Sequence, residues 1–172
     1  MVEEIEDRRR TEPLFLLPER RMLEGWLDYQ RITLLITCEG LDNAGRKMRP
    51  VATSALSLHG LVRHMAEVEQ DWFRRVLLDD ADAPFLFSDP AVEDSELVSL
   101  DDADWESDVA AWQHQCEASR REAARRQLDD TGVRYGEPCS LRWIYHHMIE
   151  EYARHNGHAD LIREMVDSDV GR

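Results

Sequence analysis

Cysteine is scarce and scattered in this chain. Cys38, Cys116 and Cys139 are the three in 172 residues, and no two lie close together in sequence. That excludes a disulfide framework and points to a reducing compartment, the cytoplasm. Long apolar runs are missing too. No stretch reaches the length of a membrane span, and the first residues lack the charged-then-apolar order of a secretion signal. Basic residues are in short supply: 21 Lys and Arg stand against 36 Asp and Glu, for a net charge of −15. A surface that acidic repels phosphate backbones, so nucleic acid is not an expected partner. Between Val76 and Ser119 there is no Lys or Arg at all, while acidic residues crowd from Asp79 to Asp108. This run reads as a solvated loop and helix entry, and its spacing matches no EF-hand calcium loop.

What is present suits one soluble domain. At 42% hydrophobic content the chain has enough apolar material for a core. A highly charged, flexible segment over residues 1–17 precedes a domain spanning residues 18–168. Helical spacing predicts four helices. The first covers about Glu19 to Leu41, with Leu23, Trp26, Leu27, Gln30, Leu34 and Cys38 on one side. The second starts at Ser57 as N-cap and carries Leu58, Leu61, Met65, Val68, Trp72 and Val76. The third runs from about Asp104 to Leu128 with Trp105, Val109, Trp112 and Cys116 inward. The fourth follows Ser140, a second N-cap, and extends to about Val166. No convincing alternating strand appears, so the expected fold is an all-α four-helix bundle. The link from Leu78 to Ala103 is long enough to cross the bundle and let the second and third helices run parallel.

The stretch E-Y-A-R-H-N-G-H-A-D-L-I-R, Glu151 to Arg163, breaks this apolar logic. Leu141, Ile144, Met148, Glu151, His155, His158 and Ile162 fall within a stripe of roughly 100° on the fourth helix. A carboxylate and two imidazoles therefore sit where the seam should be apolar. His64 interrupts the second helix in the same way, between Leu61 and Val68. A buried, ionised Glu151 requires a counter-charge, a proton or a metal. Glu151 and His155, one turn apart, can grip a single ion, and bundle cores host such sites. Two plainer readings stay open: His64 as a hydrogen-bonded core residue, and His155 with Glu151 as a buried ion pair. His147, one turn before Glu151, is a candidate to orient that carboxylate. His59, His114 and His146 read as surface or structural. Cys38 and Cys116 read as core, and Cys139 as structural.

The segments S-L-H-G-L-V-R-H-M-A-E-V-E-Q-D-W-F and H-H-M-I-E-E-Y-A-R-H-N-G-H-A-D-L-I-R-E resemble the DinB-like superfamily, nearest its actinobacterial mini-circle branch. The similarity runs from about Pro18 to Val166. It implies a four-helix bundle holding a divalent metal through one His of the second helix and two residues of the fourth. In this sequence those positions are His64, Glu151 and His155. Many relatives have His in place of Glu151, but the mycothiol-dependent maleylpyruvate isomerase branch uses Glu there. His158 stands where Gln is common, a departure that makes it a supporting or substrate-facing residue and the nearest candidate for a catalytic base.

Three protein ligands leave coordination positions open, as catalytic centres do. Two imidazoles and a carboxylate suit zinc first, then nickel or iron. The resemblance implies transfer or isomerisation with a low-molecular-weight thiol such as mycothiol or bacillithiol, in a detoxification or stress role. Alternatives are a non-catalytic metal- or small-molecule-binding stress protein and a metal-dependent hydrolase. The expected partners are a small-molecule substrate and a second copy of the chain in a homodimer.

Overall fold

A computed structural model describes residues 10–170. Residues 1–9, the greater part of the expected flexible segment, lie outside the described residues. The chain builds α1 (Glu19–Cys38), α2 (Asn43–Lys47), α3 (Leu58–Gln70), α4 (Ser95–Val98), α5 (Trp105–Ala124), β1 (Thr131–Arg134), β2 (Glu137–Ser140) and α6 (Leu141–Val170). The four long helices are those expected from helical spacing. Their local signals explain where they begin and end. Ser57 accepts from the Gly60 amide at the start of α3, Asp104 from the Ser107 amide at the start of α5, and Ser140 from the Trp143 amide at the start of α6. Past α1 the chain leaves through Gly40 at φ +75°, a conformation that costs glycine nothing. Helices α1 and α5 stop three to four residues short of expectation, and α6 runs four residues further.

Pairings along the helices give their directions. Glu19 meets Arg142 and Thr37 meets Asp160, so α1 and α6 run parallel. His59 meets Asp108 while Glu69 reaches Cys116, so α3 and α5 also run parallel, as the long crossing predicts. His64 meets His155 and Trp72 meets Trp143, which sets α3 antiparallel to α6. No helix among the described residues is long and apolar enough to cross a membrane.

Three features depart from the expected fold. First, β1 and β2 form an antiparallel hairpin with Thr131 opposite Ser140, turned by Tyr135 at φ +53° and Gly136 at φ +81°. Two four-residue strands carry too little alternation to register as strands. Second, α3 continues through a π-helical turn, Asp71–Val76, which inserts an extra residue and re-aims Asp71 and Trp72. Third, the acidic crossing is not simply solvated: Ser95, Leu97 and Leu100 are buried, and α4 lies on α3 at Gly60, where a Cβ would stand 3.0 Å from the Leu97 carbonyl oxygen.

The core is apolar around one polar network. Arg31 grips fully buried Glu69 through both carboxylate oxygens at 2.7 Å, and the Tyr152 hydroxyl donates to the same carboxylate at 2.9 Å. Trp112 donates to Tyr152 in turn. Burial works to raise the Glu69 pKa, but Arg31 and the hydrogen bonds outweigh it, so the carboxyl stays below its ordinary range and charged. Cys38 and Cys116 are buried, as expected, and burial lifts the Cys38 thiol to about 12.

Candidate metal centre

The polar residues of α6 do not lie in the middle of its buried seam. Leu141, Ile144, Met148 and Ile162 are buried as expected, and Val166 is buried beyond them, but the middle of the helix buries Tyr152, Asn156 and Ala159 instead. At about 100° per residue, Glu151 and His158 fall at one edge of that buried stripe and His155 just inside it. Their partial burial follows: side-chain exposure is 17% for Glu151 and 13% for His155. They face the neighbouring helix α3, whose His64 sits at the same level with 24% exposure.

The His64 and His155 rings meet edge to face at 4.7 Å between centroids. His155 Nε2 lies 3.4 Å from Glu151 Oε2, as does Arg154 Nη1, yet that carboxylate oxygen is buried without a hydrogen bond. His155 Nδ1 and His158 Nδ1 are buried and unpartnered as well. The His158 ring packs on the far side of His155 at 5.4 Å. Burial drives the His155 pKa down to about 4, with His64, His158 and Arg154 pushing the same way. A neutral imidazole makes a poor ion-pair partner for Glu151 and a good metal ligand, since ligation needs its lone pair.

On its other side Glu151 faces His147, with Nε2 3.6 Å from Oε1. His147, Glu150 and Glu151 present ligand atoms all within 4.8 Å of one another, the group among the described residues that closes to this spacing. His64, Glu151 and His155 are brought to one face but stand wider. Glu150 is exposed and engaged by Arg154, so it is the weakest donor of the tighter group. His147 closes a three-ring cluster with Trp72 at 4.3 Å and Trp143 at 5.0 Å, the latter stacked at 15°, while the two indoles lie 5.2 Å from each other. Burial lowers its pKa despite Glu151 and Glu150 nearby.

Beside these residues opens a cavity of about 570 Å³ between α3, the hairpin and the start of α6. His64 and Glu151 line it, together with Asp71, Trp72, Arg134, Tyr135, Cys139 and Trp143. Arg134 lies between the faces of Trp72 and Tyr135, at 4.7 and 4.5 Å from their centroids. His155 and His158 are not on the cavity wall. The second side of His64 is held by the crossing segment: its Nδ1 is 3.1 Å from Glu96 Oε1.

The mycothiol-S-transferase family matches residues 22–168, nearly the whole described fold. The chain belongs to the mycothiol S-transferase family. That family is part of the DinB-like superfamily, so the resemblance drawn from the helix-two and helix-four segments holds. No curated protein matches the chain.

The family points to a small-molecule thiol as the substrate class, and charged and aromatic side chains together line the cavity beside Glu151. Sequence reasoning missed Glu96, Arg134, Tyr135 and Trp143. Glu96 was hidden in an acidic run, and the other three lie in the connection before the fourth helix and in its first turn. The signal that existed was Y-G between V-R and E-P, a turn dipeptide with glycine second. His59 proves structural, buried against Asp108 at 2.8 Å, and His114 and His146 are exposed.

Proposed function

We propose that this chain is a divalent-metal-dependent transferase that joins a low-molecular-weight thiol of the mycothiol type to an electrophilic carbon, in detoxification. The observation that carries the reading is the cluster of buried donor atoms without a hydrogen bond, His155 Nδ1 and Glu151 Oε2, on the face opposite His64 and next to a cavity with an open mouth. Orphaned polar atoms at this burial cost free energy unless something fills the site, and a neutral His155 beside a carboxylate is a donor set for a divalent ion. His64, Glu151 and His155 would hold it, with zinc the first choice and nickel or iron next. Such a metal, bound there, supplies the charge that keeps a thiol as thiolate near neutral pH.

The protein's own residues would do the rest. Trp72, Trp143 and Tyr135 give planar walls to the cavity, and Arg134, held between two of those rings, presents a positive charge to an incoming polar group. Asp71 fixes that guanidinium at 2.9 Å. Net chemistry exchanges the thiol S–H bond and the bond from the electrophilic carbon to its leaving group for one new sulfur–carbon bond, and the leaving group departs with the electron pair of its bond into the open cavity. His158 stands behind His155 rather than on the cavity wall, so we assign it a supporting place and give the proton to cavity water.

Elemental analysis of untagged protein tests this reading, followed by a rate assay with mycothiol and a chromogenic alkylating electrophile. Near-stoichiometric metal in the wild type, lost in both Glu151→Ala and His155→Ala, with a thiol-dependent rate that falls by 100-fold or more in either, is the expected result. Folded wild type that neither contains nor takes up metal would sink the proposal. Metal lost in His147→Ala but kept in His155→Ala would move the centre to His147, Glu150 and Glu151.

A further inference from the structure

The crossing segment does more than connect two helices. Glu96, on α4, faces His64 with Oε1 3.1 Å from Nδ1, while its Oε2 accepts from the Ser88 hydroxyl at 3.1 Å. Both carboxylate oxygens are thus engaged, one by His64 and one by Ser88. A carboxylate only accepts, so His64 must carry a proton on Nδ1 to make this bond, and in the neutral ring that leaves Nε2 as the bare nitrogen.

The strut that holds Glu96 is anchored by hydrogen bonds on both sides of it. Glu67, itself buried on α3 one turn from His64, takes the amides of Leu86, Phe87 and Ser88 on one oxygen at 2.7, 2.5 and 2.8 Å. That fixes Ser88. The Ser95 hydroxyl accepts from the Asp89 amide at 2.6 Å, which pins the entry to α4. Arg49 donates to the carbonyls of Leu97 and Val98 at 3.2 and 2.9 Å, and Gly60 lets the α4 backbone lie directly on α3. A solvent-exposed acidic loop has no need of so many anchors. Glu96 is also only partly exposed, at 14%.

We propose that Glu96 is a positioning residue: it locks the His64 ring in the Nδ1–H form and in the orientation that offers Nε2 to the metal centre. The inference rests on the metal-centre reading for its purpose, but the lock itself is a property of the metal-free protein. Carboxylates that orient a ligating histidine in this way set metal affinity by about 10- to 100-fold.

Two readouts separate the lock from its purpose. Long-range proton–nitrogen NMR of the histidine rings in metal-free protein should show His64 as the Nδ1–H tautomer. Glu96→Ala should convert it to a mixture or to Nε2–H, with Glu96→Gln restoring much of the Nδ1–H signal through its amide oxygen. In parallel, zinc titrated against a chromophoric chelator should bind about 10- to 100-fold more weakly to Glu96→Ala, with Glu96→Gln between it and wild type. Ser88→Ala, which frees one carboxylate oxygen without touching α4, should give a smaller loss in the same direction and serves if Glu96→Ala does not fold. An Nε2–H tautomer in wild type, or a tautomer and zinc affinity both unchanged in Glu96→Ala, would overturn the inference. Wild type that binds no zinc yet loses the Nδ1–H form in Glu96→Ala would uphold the lock and count against the metal-centre reading instead.

Discussion

At the scale of single residues, burial decides charge state. His59 has no exposed surface, and burial lowers its pKa against the opposing pull of Asp108 at 2.8 Å. Above about pH 6.5 the imidazole is neutral in both folded and unfolded chains and contributes nothing to the pH dependence. Below it the unfolded chain takes up a proton that the folded chain resists, so stability falls as the pH drops from 6.5 through the depressed folded value. Each tenfold loss of proton affinity is worth about 1.4 kcal/mol. His147 and His155 act in the same direction, which makes the slope rather than the absolute stability the measure of His59. Urea unfolding of His59→Gln between pH 7 and 5 should therefore show a shallower acid loss than wild type. Parallel slopes would mean that His59 is not what the acid attacks. The same scale explains the Arg31–Glu69 pair: removal of Arg31 strands the fully buried Glu69 carboxylate with no water to receive it, while removal of Glu69 leaves Arg31 only its half-exposed partner Asp28.

At the scale of elements, the hairpin matters more than its ten residues, 131–140, suggest. It sits on the end of α3 because Gly132 has no side chain; a Cβ there would lie 2.0 Å from the Val76 carbonyl oxygen and 2.6 Å from the Leu77 Cα. Both neighbours are backbone and cannot swing aside. Gly132→Ala should destabilise the fold by about 1–3 kcal/mol and lift the hairpin off α3, taking Arg134 and Tyr135 away from the cavity. The check is a thermal melt together with ligand affinity, both of which should drop. Unchanged values would show that the hairpin is not seated there. Gly136→Ala makes a useful contrast, since nothing lies within 4 Å of its Cβ and only the strain of φ +81° opposes it. Neither glycine could be ranked from sequence, because the difference lies in what stands opposite: the end of α3 in one case, open space in the other.

At the scale of the molecule, the candidate centre joins α3 to α6, two antiparallel helices from opposite ends of the chain. A ligand that binds only the folded form stabilises it by about 2.7 kcal/mol when present at 100 times its dissociation constant. Added zinc should accordingly raise the melting temperature of metal-stripped wild type in a concentration-dependent way, and leave His64→Ala and His155→Ala unmoved. A uniform response in all three would place the binding elsewhere on the acidic surface. The bundle that carries this centre was legible in sequence. Period, caps and apolar stripes act within a few residues of each other, so Ser57, Asp104 and Ser140 marked their helices, and the length of the 78–103 connection foretold that α3 and α5 run parallel. Membership in the DinB-like superfamily was legible for the same reason, through the strings around His64 and His155. What only the tertiary structure decided is how side chains distant in sequence divide a shared space. Tyr152 takes the middle of the α6 seam and moves Glu151 and His158 to its edge, because Glu69 and Arg31 arrive there from other helices. Glu96, one acidic residue among many in its run, is set apart only because α4 folds back onto Gly60 and delivers it to His64.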